Sequence, residues 1–205
     1  MDIQLNFINN SNDANNSDVV IFQKNVATSF DELSVAWQVI RYCGQGDNHL
    51  FTVPMTMQVG ASDSYGNYTP QLNAQNGQQF QMAMTTSGDR LLPVGSGTSS
   101  KEVQVLNNLK QGAISASIYK GGKLLAVKTS IAPQQKAVFE FKPTIWIGVV
   151  SQIEEGQVMN SAVVSNINTE LSLLGIASAD IVMTGGGPGA NSTPFAFSLQ
   201  NVVMS

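Results

Sequence analysis

Alternating apolar and polar residues recur along the chain and predict half-buried β-strands. Ile3, Leu5 and Phe7 alternate with polar neighbours, and successive side chains of a strand point to opposite faces, so one face is buried and the other is wet. The same period of two covers residues 51–59, 80–84 and 195–199. Denser β-branched or aromatic runs predict further strands at 18–23, 137–141, 144–151 and 157–164, with shorter ones at 103–105, 114–119 and 124–128.

Turn signals separate these runs, and the pair Gly121-Gly122 is the clearest of them. Both central residues of a two-residue hairpin turn need a positive φ, which glycine adopts without strain. We therefore expect residues 114–128 to form one antiparallel hairpin.

Helical signals are few. Ser29 to Glu32 fits a capping box, and helical spacing continues to Trp37. The alternation of Val35, Trp37 and Val39 favours a strand over the same stretch, so we expect a short helical turn followed by a strand through Tyr42. A second short helical stretch at 170–176 is left open.

About ten short strands with little helix predict an all-β fold, an antiparallel β-sandwich, with a closed barrel as the alternative. The length favours a single domain over residues 1–205. Gly95 to Ser100 is the one linker-like stretch, and we interpret it as a long loop that separates an N-terminal half from a C-terminal half. No repeat of fixed period is visible, so a solenoid or propeller is not expected.

Composition excludes several classes of protein. With one histidine and one cysteine, a zinc site or a disulfide framework is not expected, and no cofactor is indicated. With two arginines and a net charge of -4, the chain has no basic surface for nucleic acid. Only 12% of residues are charged, whereas 18 are Asn and 17 are Gln, so neutral amides replace much of the usual surface charge.

The amino-terminal stretch MDIQLNFINN has no apolar run long enough for a signal peptide, and no run of about 18 apolar residues predicts a transmembrane segment. We therefore expect a cytoplasmic chain, or one released without a classical signal peptide.

Charge is segregated along the chain: residues 1–100 carry -5, residues 101–150 carry +5, and residues 151–205 carry -4. One interpretation is that the lysines of the middle segment line wet strand edges, where they discourage edge pairing. The other is that a positive patch on one copy meets an acidic patch on the next. The glycine-rich run 185–189 lacks the Lys-Ser/Thr of a phosphate loop and instead fits a sharp reversal or a close backbone approach. The candidate interface residues are Lys120, Lys123, Glu154, Glu155 and Gly186.

No set of catalytic residues emerges. Cys43 and His49 lie six residues apart in a glycine-rich loop, but no third group is indicated that would orient the pair. Glu154 and Glu155 are neighbours that point to opposite faces of an extended chain, so they make a poor acid/base pair. We expect a protein that is not an enzyme.

Two loops are candidates for ligand binding. Asp63, with Asp47 if the loops converge, is a candidate calcium ligand, although an Asx-stabilised turn explains the same residues. Tyr65, Asn67 and Tyr68 combine aromatic rings with an amide, as in a small sugar platform. Asp47 and His49 are the candidate binding residues of the other loop.

A sandwich with few charges, many amides and no catalytic residues predicts a protein that functions by contact. The first hypothesis is a structural protein that self-assembles into homo-oligomers or filaments, because neutral amides lower the desolvation cost of burying surface. The alternative is a lectin-like or membrane-active module that binds a glycan or lipid headgroup through its loops.

Overall fold

The computed structural model describes residues 2–13, 17–27 and 34–205, and over these ranges the chain is mostly β-structure. Its first eight strands are β1 (Ile3–Asn9), β2 (Asp18–Phe22), β3 (Gln38–Ile40), β4 (Asn48–Val53), β5 (Met57–Ser62), β6 (Leu72–Ala74), β7 (Gln78–Thr85) and β8 (Gly88–Ser96). The next eight are β9 (Val103–Asn107), β10 (Ile114–Lys120), β11 (Lys123–Ile131), β12 (Lys136–Phe139), β13 (Thr144–Val150), β14 (Thr169–Ser172), β15 (Ile176–Gly186) and β16 (Thr193–Met204). The helix α1 (Ser161–Asn166) and the 3-10 turn Gly189–Asn191 complete the assigned elements. The all-β prediction is confirmed, with sixteen strands in the described ranges rather than about ten.

The chain divides into two compact units. Unit 1 comprises Met1–Gln23, Val35–Met55 and Pro143–Ser205, and unit 2 comprises Lys24–Ser34 and Thr56–Lys142. Unit 1 therefore contains β1–β4 and β13–β16, and unit 2 contains β5–β12. The expectation of a single domain over residues 1–205 stays a prediction.

Each unit contains two four-stranded sheets, as expected for a sandwich-like fold. In unit 1 the strand orders are β16-β15-β1-β4 and β14-β13-β2-β3. In unit 2 they are β12-β9-β7-β8 and β11-β10-β5-β6. All strand pairs are antiparallel except β1 with β15 and β7 with β9, so each unit has one mixed sheet and one antiparallel sheet.

Strand β2 is buried on both faces, which explains its continuous run of apolar residues. Val20 and Phe22 belong to a cluster formed with residues from the segment after β13, namely Ile153, Met159 and Ile167. Their neighbours Val19 and Ile21 are also buried, and because they alternate with Val20 and Phe22 they lie on the other face of the strand.

Unit 2 has its own core. Phe80 and Met82 of β7, Val105 of β9 and Ile118 of β10 are all at most 2% exposed. They follow the period of two that the sequence shows, because each strand turns alternate side chains inward.

One prediction near the carboxyl end is wrong, and one alternative that was left open is now decided. The run 157–164 is not a strand, because its second half belongs to α1. Asn160 caps this helix by accepting a hydrogen bond from the Val163 amide on its side chain, and this cap outweighs the β preference of the valines. The stretch 170–176 is not helical either, since Glu170 lies in β14 and pairs with Trp146 of β13.

The alternation over residues 51–59 covers two strands rather than one. β4 ends at Val53 and β5 begins at Met57, with Pro54 between them. Proline has no amide to donate, so it interrupts strand pairing here. The break leaves Met55 exposed, whereas Met57 is buried.

The predicted hairpin is confirmed. β10 and β11 pair antiparallel around Gly121-Gly122, whose φ angles are 58° and 76°. The capping box at Ser29 to Glu32 lies outside the described residues. In the described part of the chain, no helix has both the length and the apolar character needed to cross a membrane.

Candidate interaction surface

A row of hydrogen-bonded side chains crosses all four strands of the mixed sheet in unit 1. Asn48 of β4 donates to the Asn6 side-chain oxygen on β1 at 3.0 Å, and Asn6 donates to Asp180 of β15 at 3.2 Å. Asn201 of β16 donates to the second Asp180 oxygen at 2.6 Å. We call Asn48, Asn6, Asp180 and Asn201 the amide row. These bonds satisfy the three donated amide groups and both Asp180 oxygens, so fewer polar atoms lose a partner when a second molecule covers the row.

The row ends at β16, which is an edge strand. Among the described strands, β16 pairs only with β15. It has twelve residues and no charged side chain. Pro194 stands near its start, and a bulge with positive φ at Asn201 interrupts it near its end. The stretch 195–200 between them is a regular, neutral strand edge.

The candidate interface lysines differ from the expectation of a wet strand edge. Lys120 at the end of β10 is only 8% exposed, and burial lowers its pKa to about 8. Lys123, its cross-strand partner on β11, is half-buried. Alternation along the sequence does not show that a lysine next to the hairpin turn is buried.

Glu154 is part of an ion cluster on unit 1. The Arg41 guanidinium lies 3.2 Å from the Glu154 carboxylate and 3.5 Å from that of Asp18, and it also donates to the Ile153 carbonyl. The cluster lines an open cleft of about 830 Å³, at whose margin Tyr42 is 86% exposed. The one Arg41 charge offsets one of the two carboxylate charges, so Glu154 is ion-paired rather than free.

The two other candidate interface residues have local roles. The Glu155 carboxylate accepts from the Val39 amide at 3.4 Å. Gly186 ends β15 with a φ of 77°, and a Cβ there would lie 2.7 Å from the Phe195 ring. The second interpretation of the run 185–189, a close approach between two segments, therefore applies within unit 1.

Asp63 forms an Asx-stabilised turn. Its carboxylate accepts from the amides of Tyr65 and Asn67 and from the Asn67 side chain, at 2.7 to 2.9 Å. These bonds, above all the one from the Asn67 side chain, lower its pKa. They occupy the oxygens that calcium would need, and no cluster of three His, Cys, Asp or Glu side chains suited to a metal occurs in the described ranges.

The same turn borders a small cavity in unit 2. Asp63, Asn67 and Tyr68 line it together with Asp89 from the start of β8, and its volume is about 260 Å³. Tyr65 and Tyr68 are 90% and 77% exposed, so their rings are accessible. An exposed ring, an amide and two carboxylates are groups that bind sugar hydroxyls.

The loop that contains Cys43 and His49 shows no catalytic arrangement. Cys43 is half-buried, and burial and then the negative charge of Asp47 raise the pKa of its thiol, so the reactive thiolate is disfavoured. Asp47 accepts from the Gly44 amide at 3.0 Å. His49 is exposed on β4, opposite Phe7 of β1.

Sequence reasoning missed Arg41 and Tyr42. The sequence did carry a signal for Arg41, because it is one of only two arginines in a chain with few charged residues. It also missed the amide row, whose members extend from Asn6 to Asn201 in the sequence and meet only through strand pairing.

Comparison with protein-family models, with curated protein sequences and with solved structures gives no match for this chain.

Proposed function

We propose that the chain is a non-catalytic structural protein that self-assembles, and that the edge of β16 joins one copy to another. The observation that carries the proposal is the neutral stretch 195–200 on a strand whose outer side has no neighbour among the described strands. Such an edge offers backbone donors and acceptors to another strand, as in β-augmentation.

The other longer edge strands support this choice by contrast. β8 carries Asp89, Arg90 and Pro93, and β11 carries Lys123 and Lys128. Charges and proline on an edge discourage pairing with a second chain. β16 has proline only near its start, so its centre is less protected than the centres of β8 and β11.

A second copy of β16 is the partner that fits best. Two antiparallel β16 strands related by a two-fold axis would extend the mixed sheet of unit 1 into an eight-stranded sheet.

The test is light scattering and negative-stain microscopy over a range of protein concentration. We expect the wild-type mass to rise with concentration and the Ser198→Lys variant to stay at the mass of one chain, because a lysine on the edge would have to be desolvated at the contact. Ser198→Thr, which keeps a neutral hydroxyl, is the matched control and should assemble like the wild type. A wild-type chain that stays single at millimolar concentration would refute the proposal.

A second function is favoured by the cavity beside Asp63. We propose as the alternative a lectin-like site, in which Tyr68 stacks on a sugar ring while Asn67 and Asp89 bind its hydroxyls. Binding to a panel of immobilised glycans tests it, with Tyr68→Ala as the variant that should lose binding. Tyr42→Ala, which removes another exposed ring, in unit 1, is the control. Lipid vesicles in the same assay test the membrane-active form of this alternative.

A further inference from the structure

The two units have the same strand arrangement in a different chain order. If β1–β4 are replaced by β9–β12, and β13–β16 by β5–β8, the sheet orders of unit 1 become those of unit 2. β16-β15-β1-β4 becomes β8-β7-β9-β12, and β14-β13-β2-β3 becomes β6-β5-β10-β11. The sense of all six pairings agrees as well, including the parallel pair of each unit.

The ends of β1 and β9 agree in atomic detail. Asn9 and Asn107 are both buried, and each accepts on its side-chain oxygen from the amide two residues later. Each also donates from its side chain to a carbonyl near the end of the third strand of its set, that of Cys43 at 2.7 Å and that of Ile131 at 2.8 Å.

The residues after these asparagines agree too. Asn10 and Asn108 donate their backbone amides to a buried methionine carbonyl of the parallel partner strand, Met183 in one unit and Met82 in the other, both at 2.9 Å. An Asn-Asn pair at the end of one strand and a methionine in its parallel neighbour thus occur in both units.

The segments that lead into β4 and β12 have positive φ angles at matching positions. Tyr42 and Ser130 have φ angles of 55° and 57°, and both lie four residues before another residue of positive φ, Gly46 in one turn and Gln134 in the other. Non-glycine residues seldom adopt positive φ, so this coincidence at matching positions is informative.

We infer that the chain consists of two copies of one eight-stranded repeat that have exchanged halves, and that a repeat from a second copy of this chain can take the place of its partner. Repeat 1 is β1–β8 and repeat 2 is β9–β16. Unit 1 combines the first half of repeat 1 with the second half of repeat 2, and unit 2 combines the remaining halves.

Neither repeat completes a sheet from its own strands. Every sheet has two strands from each repeat, joined at its centre by a pair such as β1 with β15 or β5 with β10. The two repeats are therefore complementary surfaces that cover each other's buried strands. The segment Gly97–Glu102 joins the two repeats covalently, and only this connection requires that both come from the same chain.

The geometry of this connection shows how to make a repeat pair with the complementary repeat of a second chain. Gln79 of β7 pairs with Gly95 of β8 on one side and Gln104 of β9 on the other, so the two chain segments lie about 10 Å apart. Deletion of Gly97–Glu102 would join Ser96 directly to Val103, and consecutive Cα atoms are only about 3.8 Å apart. β9 could then no longer pair with β7 of its own chain, whereas it could pair with β7 of a second chain.

The experiment compares this deletion with a control in which six Gly/Ser residues lengthen the same connection. Both variants carry Ser198→Lys, which removes the proposed β16 contact, and Cys43→Ser. We expect a folded, β-rich deletion variant of at least twice the chain mass and a control of single-chain mass. A folded deletion variant of single-chain mass would overturn the inference.

A disulfide identifies the pairing. Ser62 of β5 and Ser115 of β10 are opposite residues of an antiparallel pair, at a Cα separation that suits a disulfide. Deletion chains with Ser62→Cys, refolded together with deletion chains carrying Ser115→Cys, should form an interchain disulfide. Ser172→Cys in place of Ser115→Cys should not, because Ser172 faces Thr144 instead.

A nicked chain decides the matter should the deletion variant not fold. A protease site within Gly97–Glu102 allows the native protein to be cut, and both repeats should remain together until denaturant is added. Tagged and untagged nicked protein, unfolded and refolded as a mixture, should yield hybrids of one tagged and one untagged repeat. Release of either repeat as a folded monomer would contradict the inference. A wild-type chain that never assembles would refute only the β16 proposal.

Discussion

Lys120 provides a sharp test of the energetics of unit 2. Its side chain is 8% exposed at the end of β10, and burial lowers its pKa from 10.5 to about 8. A buried ammonium loses hydration, so the fold favours the neutral amine. We therefore expect the stability of the wild type to depend on pH in a way that a Lys120→Met variant does not share.

The sign and size follow from proton linkage. Below about pH 8 both the folded and unfolded states hold the proton, and the folded state bears the full cost of burying the charge. Between pH 8 and 10.5 the unfolded state binds more protons than the folded state, so the wild type gains stability as the pH rises. From the two pKa values, the gain between pH 7 and 10 is about 2 to 3 kcal/mol.

Urea denaturation at several pH values measures this gain. The stability difference between the wild type and Lys120→Met should shift in favour of the wild type by that amount between pH 7 and 10. Lys110→Met, at an exposed position, controls for the loss of a positive charge. A difference that stays constant with pH would refute the reasoning, because it would mean that the folded state does not penalise the Lys120 charge.

Three further predictions concern single side chains. Gly185→Ala should destabilise the fold by more than about 2 kcal/mol in urea denaturation, since its Cβ would lie 2.1 Å from the Pro194 carbonyl oxygen; a loss below 1 kcal/mol would contradict this. Asn107→Ala should cost about 3 kcal/mol, because its side chain bonds two carbonyls and one amide, whereas Asn108→Ala on the surface should cost much less. The hydrogen bonds to Asp63 lower its pKa, so they stabilise the turn while the carboxylate is ionised. The turn should be intact at a pH above the ordinary pKa of an aspartate and should loosen as the pH falls through the lowered pKa. The NMR chemical shift of the Asn67 amide should change as Asp63 is protonated, and Asp63→Ala should abolish this pH-dependent change.

The fold class was predictable because the strongest signal, a period of two, is local. It correctly marked β1 and β7, where alternate residues are buried, and β16, where alternate residues from Phe195 to Leu199 are half-buried. It failed where a polar cap decided the outcome: Asn160 begins a helix in a run of valines. It also failed to show where a strand ends, as at Pro54, because alternation can continue across a break.

The candidate surface was only partly predictable, since it depends on which strands become neighbours. The last strand was recognised, but that it lies at an edge follows from sheet order. The duplication was hidden for a related reason. The side chain of Asn9 reaches a carbonyl 34 residues onward, whereas that of Asn107 reaches its counterpart 24 residues onward, so equivalent residues follow no constant period.

The pairing of β1 with β15 also sets the order in which the protein can fold during its synthesis. The strands of unit 2 lie consecutively between Thr56 and Lys142 and can pair as soon as they leave the ribosome. Gln4 must wait for Ser178, and Val19 for Val149, so the amino-terminal strands emerge first and are completed last. Throughout that interval the core positions Leu5, Phe7 and Ile21 wait for their later partner strands, so the nascent segment exposes apolar side chains that favour aggregation.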